Sequence, residues 1–347
     1  PTELCNIKYS LPLINSHVIE VSNKNISKLK KIKSINALYP NKTIDTQMNI
    51  VRDKVKCINT KYTGKGISIA FIDTGICKNN DFDSRIKCFY DVVNHKNYVY
   101  DDCGHGTHVA GICSGSGANS NGKYRGIAPE SNIVMIKALD FEGKGTASDV
   151  LTGIQWIADN CKKYNIRILN MSIGAGITNT KDPLVRAAEI LWDMGIVVVA
   201  AAGNNGPQKG TISSPGISKK IITVGSADDI NVPENDIGKS YSGRGPTKEC
   251  VIKPDVVAPG TNIISCLCED NKSNNYYKSL SGTSMSTPIV SGAIALLLEK
   301  APDLKPDDIK FMLKQSCHNL ECSPNRQGWG LLDIENLLNR EVVYVRK

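Results

Sequence analysis

Ile67-Ser68-Ile69-Ala70-Phe71-Ile72-Asp73 is an apolar run that ends on a carboxylate, and the turn Thr63-Gly64-Lys65-Gly66 introduces it. A run without polar alternation suits a strand buried on both faces, as in a parallel sheet covered by helices. The same pattern recurs. Ile133 to Ala138, Ile168 to Ile173, Ile196 to Ala202, Ile221 to Val224 and Pro254 to Ala258 read as short buried strands. Ala147 to Tyr164, Pro183 to Met194 and Ile289 to Leu298 read as helices between or after them. That alternation predicts a three-layer, doubly wound α/β domain with a parallel sheet. In such sheets reactive residues gather beyond the carboxyl ends of strands, where Asp73 and Asn204 fall.

Upstream, residues 1–46 read as a separate small α+β segment. Leu11 to Val21 is strand-like, Asn25 to Ile32 has helical spacing with a lysine-rich outer face, and Ile35 to Tyr39 reads as a returning strand. So few residues cannot build an independent core. Residues 47–347 hold the main domain.

The 347 residues are 41% apolar and 22% charged, the balance of a globular protein. Half of the net charge of +8 lies in residues 1–46, where seven lysines face only Glu3, Glu20 and Asp45. The remainder is too dilute to suggest an anionic partner, and no basic, aromatic-interleaved motif suggests nucleic acid. No apolar run reaches the roughly 18 residues of a membrane span, and no secretory leader is recognisable. The expectation is a cytoplasmic protein, or a secreted one if Pro1 marks a processed chain. The twelve cysteines form no pair of Cys-x-x-Cys knuckles, so reduced thiols are expected rather than zinc ligands. Gly115 to Tyr124 and Glu269 to Asn275 read as surface loops.

Chemistry concentrates in a few places. Ser281-Gly282-Thr283-Ser284-Met285-Ser286-Thr287-Pro288 sets a serine at a helix start, with Pro288 suited to the first turn. There the Ser284 N–H and the helix dipole would face anything negative near its hydroxyl. A serine hydroxyl attacks a carbonyl only with a base in reach, and that base needs a carboxylate to fix its tautomer. Of five histidines, His17 lies in the N-terminal segment, His95 in a polar loop and His318 near the end. His105, between two glycines, is the candidate base, and His108 is read as its structural neighbour. Asp73 is the candidate carboxylate. Asp101 and Asp102 read as an exposed turn, structural or ion-binding. Asn204, held between Gly203 and the Asn205-Gly206 turn, is the candidate amide donor to an oxyanion.

Asp73-Thr74-Gly75, Gly104-His105-Gly106-Thr107-His108-Val109-Ala110-Gly111, Asn170-Met171-Ser172-Ile173-Gly174, Ala202-Gly203-Asn204 and Gly282-Thr283-Ser284-Met285-Ser286-Thr287-Pro288 resemble the signature blocks of subtilisin-like serine peptidases, the S8 subtilases. They come in the Asp, His, Ser order of that family. Ser240-Tyr241-Ser242-Gly243-Arg244-Gly245-Pro246-Thr247 and Lys253-Pro254-Asp255-Val256-Val257-Ala258-Pro259-Gly260 further resemble its AprX-like intracellular bacterial members.

The resemblance implies a serine endopeptidase with Ser284 as nucleophile, His105 as base and then acid, Asp73 as orienting carboxylate and Asn204 as oxyanion donor. Ser172, Ile173 and Gly174 would pair with an extended peptide, Ala201, Ala202 and Gly203 would wall the cleft, and Ser213 would lie near the base of the first pocket with Asn205 at its rim. An apolar preference is expected there. Residues 1–46 would be a shortened propeptide, cut between Pro40 and Asn49, acting as intramolecular inhibitor or chaperone. No catalytic cofactor is implied. Members of the family often bind structural calcium, and Asp81 is the candidate ligand. The expected partners are protein or peptide substrates, with no nucleic acid and no membrane. The alternatives are a non-catalytic relative that binds or regulates a partner through the cleft, and an esterase using the same residues. Cys77 and Cys103, near Asp73 and His105, would make activity sensitive to oxidation if either thiol borders the cleft.

Overall fold

A computed structural model describes residues 4–11, 16–38, 47–58, 60–177, 179–230, 240–268 and 275–345. Its contacts divide the chain into two compact units, Pro1–Asp45 and Thr46–Lys347.

In the first unit, β1 (Asn6–Leu11) pairs antiparallel with β2 (Ser16–Glu20), and α1 (Asn23–Leu29) follows. The expected single strand from Leu11 to Val21 is therefore split: Leu11 ends the first arm of a hairpin and Ser16–Glu20 is the second arm. Ile7, Tyr9 and Leu11 alternate with polar residues and supply the first arm. Residues 35–38 are irregular rather than a returning strand. Tyr39 and most of the expected cut region, residues 40–46, lie outside the described residues, as does most of the expected loop at 269–275.

The second unit begins with α2 (Gln47–Lys54). It continues through β3 (Ser68–Asp73), β4 (Ile86–Asp91), α3 (His105–Ser114), β5 (Asn132–Lys137), α4 (Ala147–Asn160), β6 (Ile166–Met171), α5 (Pro183–Asp193), β7 (Val197–Ala201), β8 (Ile222–Ser226) and β9 (Val256–Ala258). An antiparallel hairpin follows, β10 (Ile263–Cys266) and β11 (Tyr277–Leu280), then α6 (Thr283–Lys300), α7 (Pro306–Ser316), α8 (Pro324–Gln327) and α9 (Ile334–Asn339). Seven parallel strands form the main sheet in the order β4-β5-β3-β6-β7-β8-β9. Helices α3 and α6 pack together on one side, and α4 packs with α5 against the sheet, giving the three layers. All six residues of β3 are buried, as its unbroken apolar run predicts.

The chain leaves β3 toward β4 and β5 on one side and leaves β6 toward β7, β8 and β9 on the other, so the crevice beyond the ends of β3 and β6 is the topological switch point. Asp73 closes β3 and Ser172 follows β6 directly.

Helix α6 is the central helix and is buried nearly all round. From Gly282 to Leu298, Ser284 alone is not buried. The helix starts at Thr283, earlier than the apolar pattern suggested, so Pro288 lies inside it rather than in its first turn. A proline there deprives the carbonyl four residues back, that of Ser284, of its helical donor. Ser172 Oγ takes the place of that donor at 2.8 Å.

Candidate active site

Asp73 is wholly buried and its Oδ1 accepts the Thr74 N–H at 2.7 Å. The same oxygen lies 2.7 Å from His105 Nδ1. His105 opens α3 behind Gly104, and its side chain keeps 28% exposure, while Asp73 keeps 1%. One face of the imidazole is thus held and the other is left to the cleft. Burial disfavours the imidazolium, but the charge and hydrogen bond of Asp73 outweigh it, so the His105 pKa is raised.

Ser284 is the second residue of α6, so its N–H has no partner inside the helix ladder. Gly282 before it adopts φ of 146°, which side-chain-bearing residues rarely adopt. Ser284 Oγ donates to the Ser172 carbonyl at 2.9 Å. The reciprocal bond from Ser172 Oγ to the Ser284 carbonyl ties the helix start to the end of β6. Asn170 Nδ2 donates to Ser172 Oγ at 3.0 Å and its Oδ1 accepts from Ser291 at 2.8 Å, extending that tie.

Asn204 is exposed, yet its orientation is fixed. Its Oδ1 accepts the Thr283 N–H at 3.0 Å and the Thr283 hydroxyl at 3.1 Å. Two donors on the oxygen identify the other atom as Nδ2, which is left to donate beside Gly282.

Gly174 and Gly203 both face Ser213, and a Cβ on Gly203 would collide with the Ser213 hydroxyl. Ser213 is buried, and its Oγ accepts from Asn205 Nδ2 at 3.2 Å, so the two residues expected at the first pocket do meet. Gly174 is exposed while Ala201, Ala202 and Gly203 are buried, giving one open edge and one wall.

Asp101 is not the exposed residue expected; it retains 8% exposure. Its Oδ1 accepts from the Thr74 hydroxyl at 2.8 Å and from the N–H groups of Cys103 and Gly104 at 3.2 and 2.7 Å. Its Oδ2 accepts the Thr107 N–H at 2.9 Å and the Thr107 hydroxyl at 2.6 Å. The tight turn into α3 buries it, which adjacency to Asp102 and Gly104 concealed. Burial alone would raise its pKa, but the bonds from Thr107, Gly104 and Thr74 hold it below the usual value. Asp102 is exposed and pairs at 2.6 Å with the fully buried Lys137, which also holds the Thr74 carbonyl at 2.6 Å. Sequence reasoning passed over Lys137 because it ends an apolar strand.

His108 stays neutral, its pKa pushed by burial down to about 3. Its Nε2 bridges the carbonyls of Ile263 and Lys278 at 3.1 and 3.0 Å, fastening α3 to both arms of the β10–β11 hairpin.

Cys77 is joined to Cys268 in a disulfide, contrary to the expectation of reduced thiols, because the loop after β3 meets the end of β10. Cys268 Sγ lies 3.4 Å from Thr107 Oγ1, and Cys77 N–H donates to that hydroxyl at 3.0 Å. Cys103 is a half-buried free thiol.

The calcium expectation does not fit Asp81. Its carboxylate accepts the Asn119 N–H at 3.0 Å, the Cys266 thiol at 3.2 Å and the Tyr277 hydroxyl at 2.6 Å. Burial and the Asp81 charge raise the Cys266 pKa, which keeps that thiol a donor. A calcium ion needs six to eight oxygen ligands, whereas these neighbours present hydrogens. Among the described residues no group of three or more acidic, His or Cys side chains could hold a metal.

The sequence profile of the subtilase family matches residues 64–330. The chain is 41% identical over 339 residues to Serine protease AprX of Bacillus subtilis, covering 89% of this chain and 76% of that protein. It is 35% identical over 288 residues to Subtilisin DY of Bacillus licheniformis, covering 82% and 95%. Among solved structures, a cold adapted subtilisin-like serine proteinase superposes with a TM-score of 0.64 at 32% identity, covering 79% of this chain and 91% of that one. Sphericase superposes with a TM-score of 0.70 at 26% identity, covering 82% and 96%. Profile, relatives and architecture agree, and the chain belongs to the subtilase family of serine endopeptidases.

Proposed function

We propose that peptide-bond hydrolysis is carried by Ser284, His105 and Asp73, with Asn204 Nδ2 and the Ser284 N–H as the oxyanion donors. The observation that carries this reading is the 2.7 Å bond from a buried carboxylate to His105 Nδ1, which leaves Nε2 toward the cleft. In this reading Ser284 Oγ leaves the Ser172 carbonyl and bonds to that nitrogen when substrate binds. His105 then takes the hydroxyl proton as Oγ attacks the substrate carbonyl, and returns it to the leaving amine. Asp73 fixes the tautomer and favours the imidazolium formed on the way. A water repeats the sequence to hydrolyse the acyl-enzyme.

Substrate would add as a strand along Ser172-Ile173-Gly174, so its main chain supplies much of the recognition. The first pocket, bounded by Gly174, Ala201, Ala202, Gly203 and Ser213, contains no charged side chain among these residues, which favours an apolar substrate residue. Residues 1–46 are proposed to be a short propeptide, removed by Ser284 itself.

The test compares peptide turnover and the N-terminal mass of the intact enzyme with those of Ser284→Ala. Turnover and loss of about the first 40–50 residues should both require Ser284. Equal turnover by the variant would refute the assignment of the nucleophile.

A further inference from the structure

We infer that Lys278 selects an acidic residue on the leaving-group side of the scissile bond. The inference rests on the endopeptidase reading above and extends it to a side chain outside the reacting set. Lys278 lies in β11, three residues before Ser281 and opposite Ser265 of β10. The bond from His108 Nε2 to its carbonyl pins this backbone to α3, next to His105.

The ammonium reaches over the turn that delivers His105. A Cβ on Gly104 would stand 3.5 Å from Lys278 Nζ. The side chain is half-buried, and its Nζ has no ion pair or hydrogen bond with any described residue. Among the described residues, the carboxylates at the His105 turn are already engaged. Asp73 holds His105, Asp101 is filled by donors from Thr74, Cys103, Gly104 and Thr107, and Asp102 is paired with Lys137. No described carboxylate pairs with the Lys278 ammonium, the role an acidic substrate residue would take. Its field also acts on His105, where it opposes the rise in pKa caused by Asp73.

The side of the cleft follows from the chemistry. Ser172, Gly174, Gly203 and Ser213 gather where the acyl part of the substrate lies. His105 must hand its proton to the departing amine, so the leaving peptide passes on the His105 side. Lys278 stands on that side, within reach of the first or second residue after the cut. A partly exposed ion pair contributes modestly, so a preference of about two- to fivefold in kcat/KM is expected.

The test uses internally quenched peptides with Leu before the cut and Glu, Gln or Lys at the first or second position after it. Wild-type enzyme should rank Glu above Gln above Lys at one of these positions, and about 0.5 M salt should compress the ranking. Lys278→Gln should level it and Lys278→Glu should invert it, while the Gln peptide is still cleaved by all three. If either variant is misfolded, shown by loss of fluorophosphonate labelling, the other variant and the wild-type salt dependence decide the matter. An identical ranking in all proteins overturns the inference. Failure of wild-type enzyme to cleave even the Gln peptide would overturn the endopeptidase reading, and the inference with it.

Discussion

Replacing Asp101 with asparagine tests whether this buried carboxylate holds the His105 turn in place. Whichever way the amide faces, its NH2 meets donors that now lack an acceptor. In the milder orientation it faces Thr107, whose N–H and hydroxyl both lose their partner. A buried unsatisfied donor costs about 1–3 kcal/mol, and the hydroxyl can turn elsewhere, so the loss should be about 2–4 kcal/mol. Stability is best read in a Ser284→Ala background, where self-digestion cannot obscure the melt. A fall in Tm of roughly 3–6 °C is expected for a domain of this size. In the active enzyme, about 1.4 kcal/mol of that loss transmitted to the placement of His105 would lower kcat about tenfold with little change in KM. The sign with pH is fixed as well. The Asp101 pKa is depressed on folding, so its contribution is complete above the unfolded value of 3.8 and disappears as pH falls through the lower folded value. The deficit of the variant should therefore persist from neutral pH to about pH 4 and narrow only below it. A variant with unchanged Tm and unchanged kcat would refute this account of the site.

Asn204→Leu removes a proposed oxyanion donor and should lower kcat by about 10²- to 10³-fold with little effect on KM, a magnitude known from a subtilisin, a member of the same family; a fall in KM alone would contradict that role. If His105 is the base proposed, its raised pKa places the acid limb of kcat/KM above the ordinary 6.5, because that role needs the neutral imidazole. His105 also contributes stability that is complete below 6.5 and is lost as pH rises through the folded value. An acid limb below 6.5 in the pH–rate profile would argue against the Asp73 contact. Cys268→Ser opens a crosslink spanning 191 residues, for which chain entropy predicts a loss of about 5 kcal/mol. Melting of the Ser284→Ala protein with and without dithiothreitol should reproduce that shift, and no shift would mean that the bridge is not formed in solution.

Much of the fold was legible because parallel strands buried on both faces leave unmistakable apolar runs, as in Ile67–Ile72. Edge and hairpin elements were harder. β4 is only partly buried, and β10 and β11 are too short to show a period. The early start of α6 was hidden by a polar first turn, whose serines and threonines bond to β6, Asn204 and their own helix rather than announcing a boundary. Asp73, His105, Asn204 and Ser284 stood out because each breaks a local pattern at a strand end or helix start. Lys137 did not, since its partners Thr74 and Asp102 are remote in sequence, and neither did Asp101, which the turn into α3 buries, nor Lys278, which only the fold brings beside Gly104. The partners of Asp81 were hidden for the same reason: Cys266 and Tyr277 lie 185 and 196 residues away.

The central claim, that Ser284 is the activated nucleophile, is tested most directly by a serine-directed fluorophosphonate with mass localisation on intact protein and on Ser284→Ala. The account predicts one adduct, on Ser284, absent from the variant and slowed at acid pH as His105 protonates. An equal adduct on the variant, or none on well-folded protein from which residues 1–46 have been removed, would contradict it.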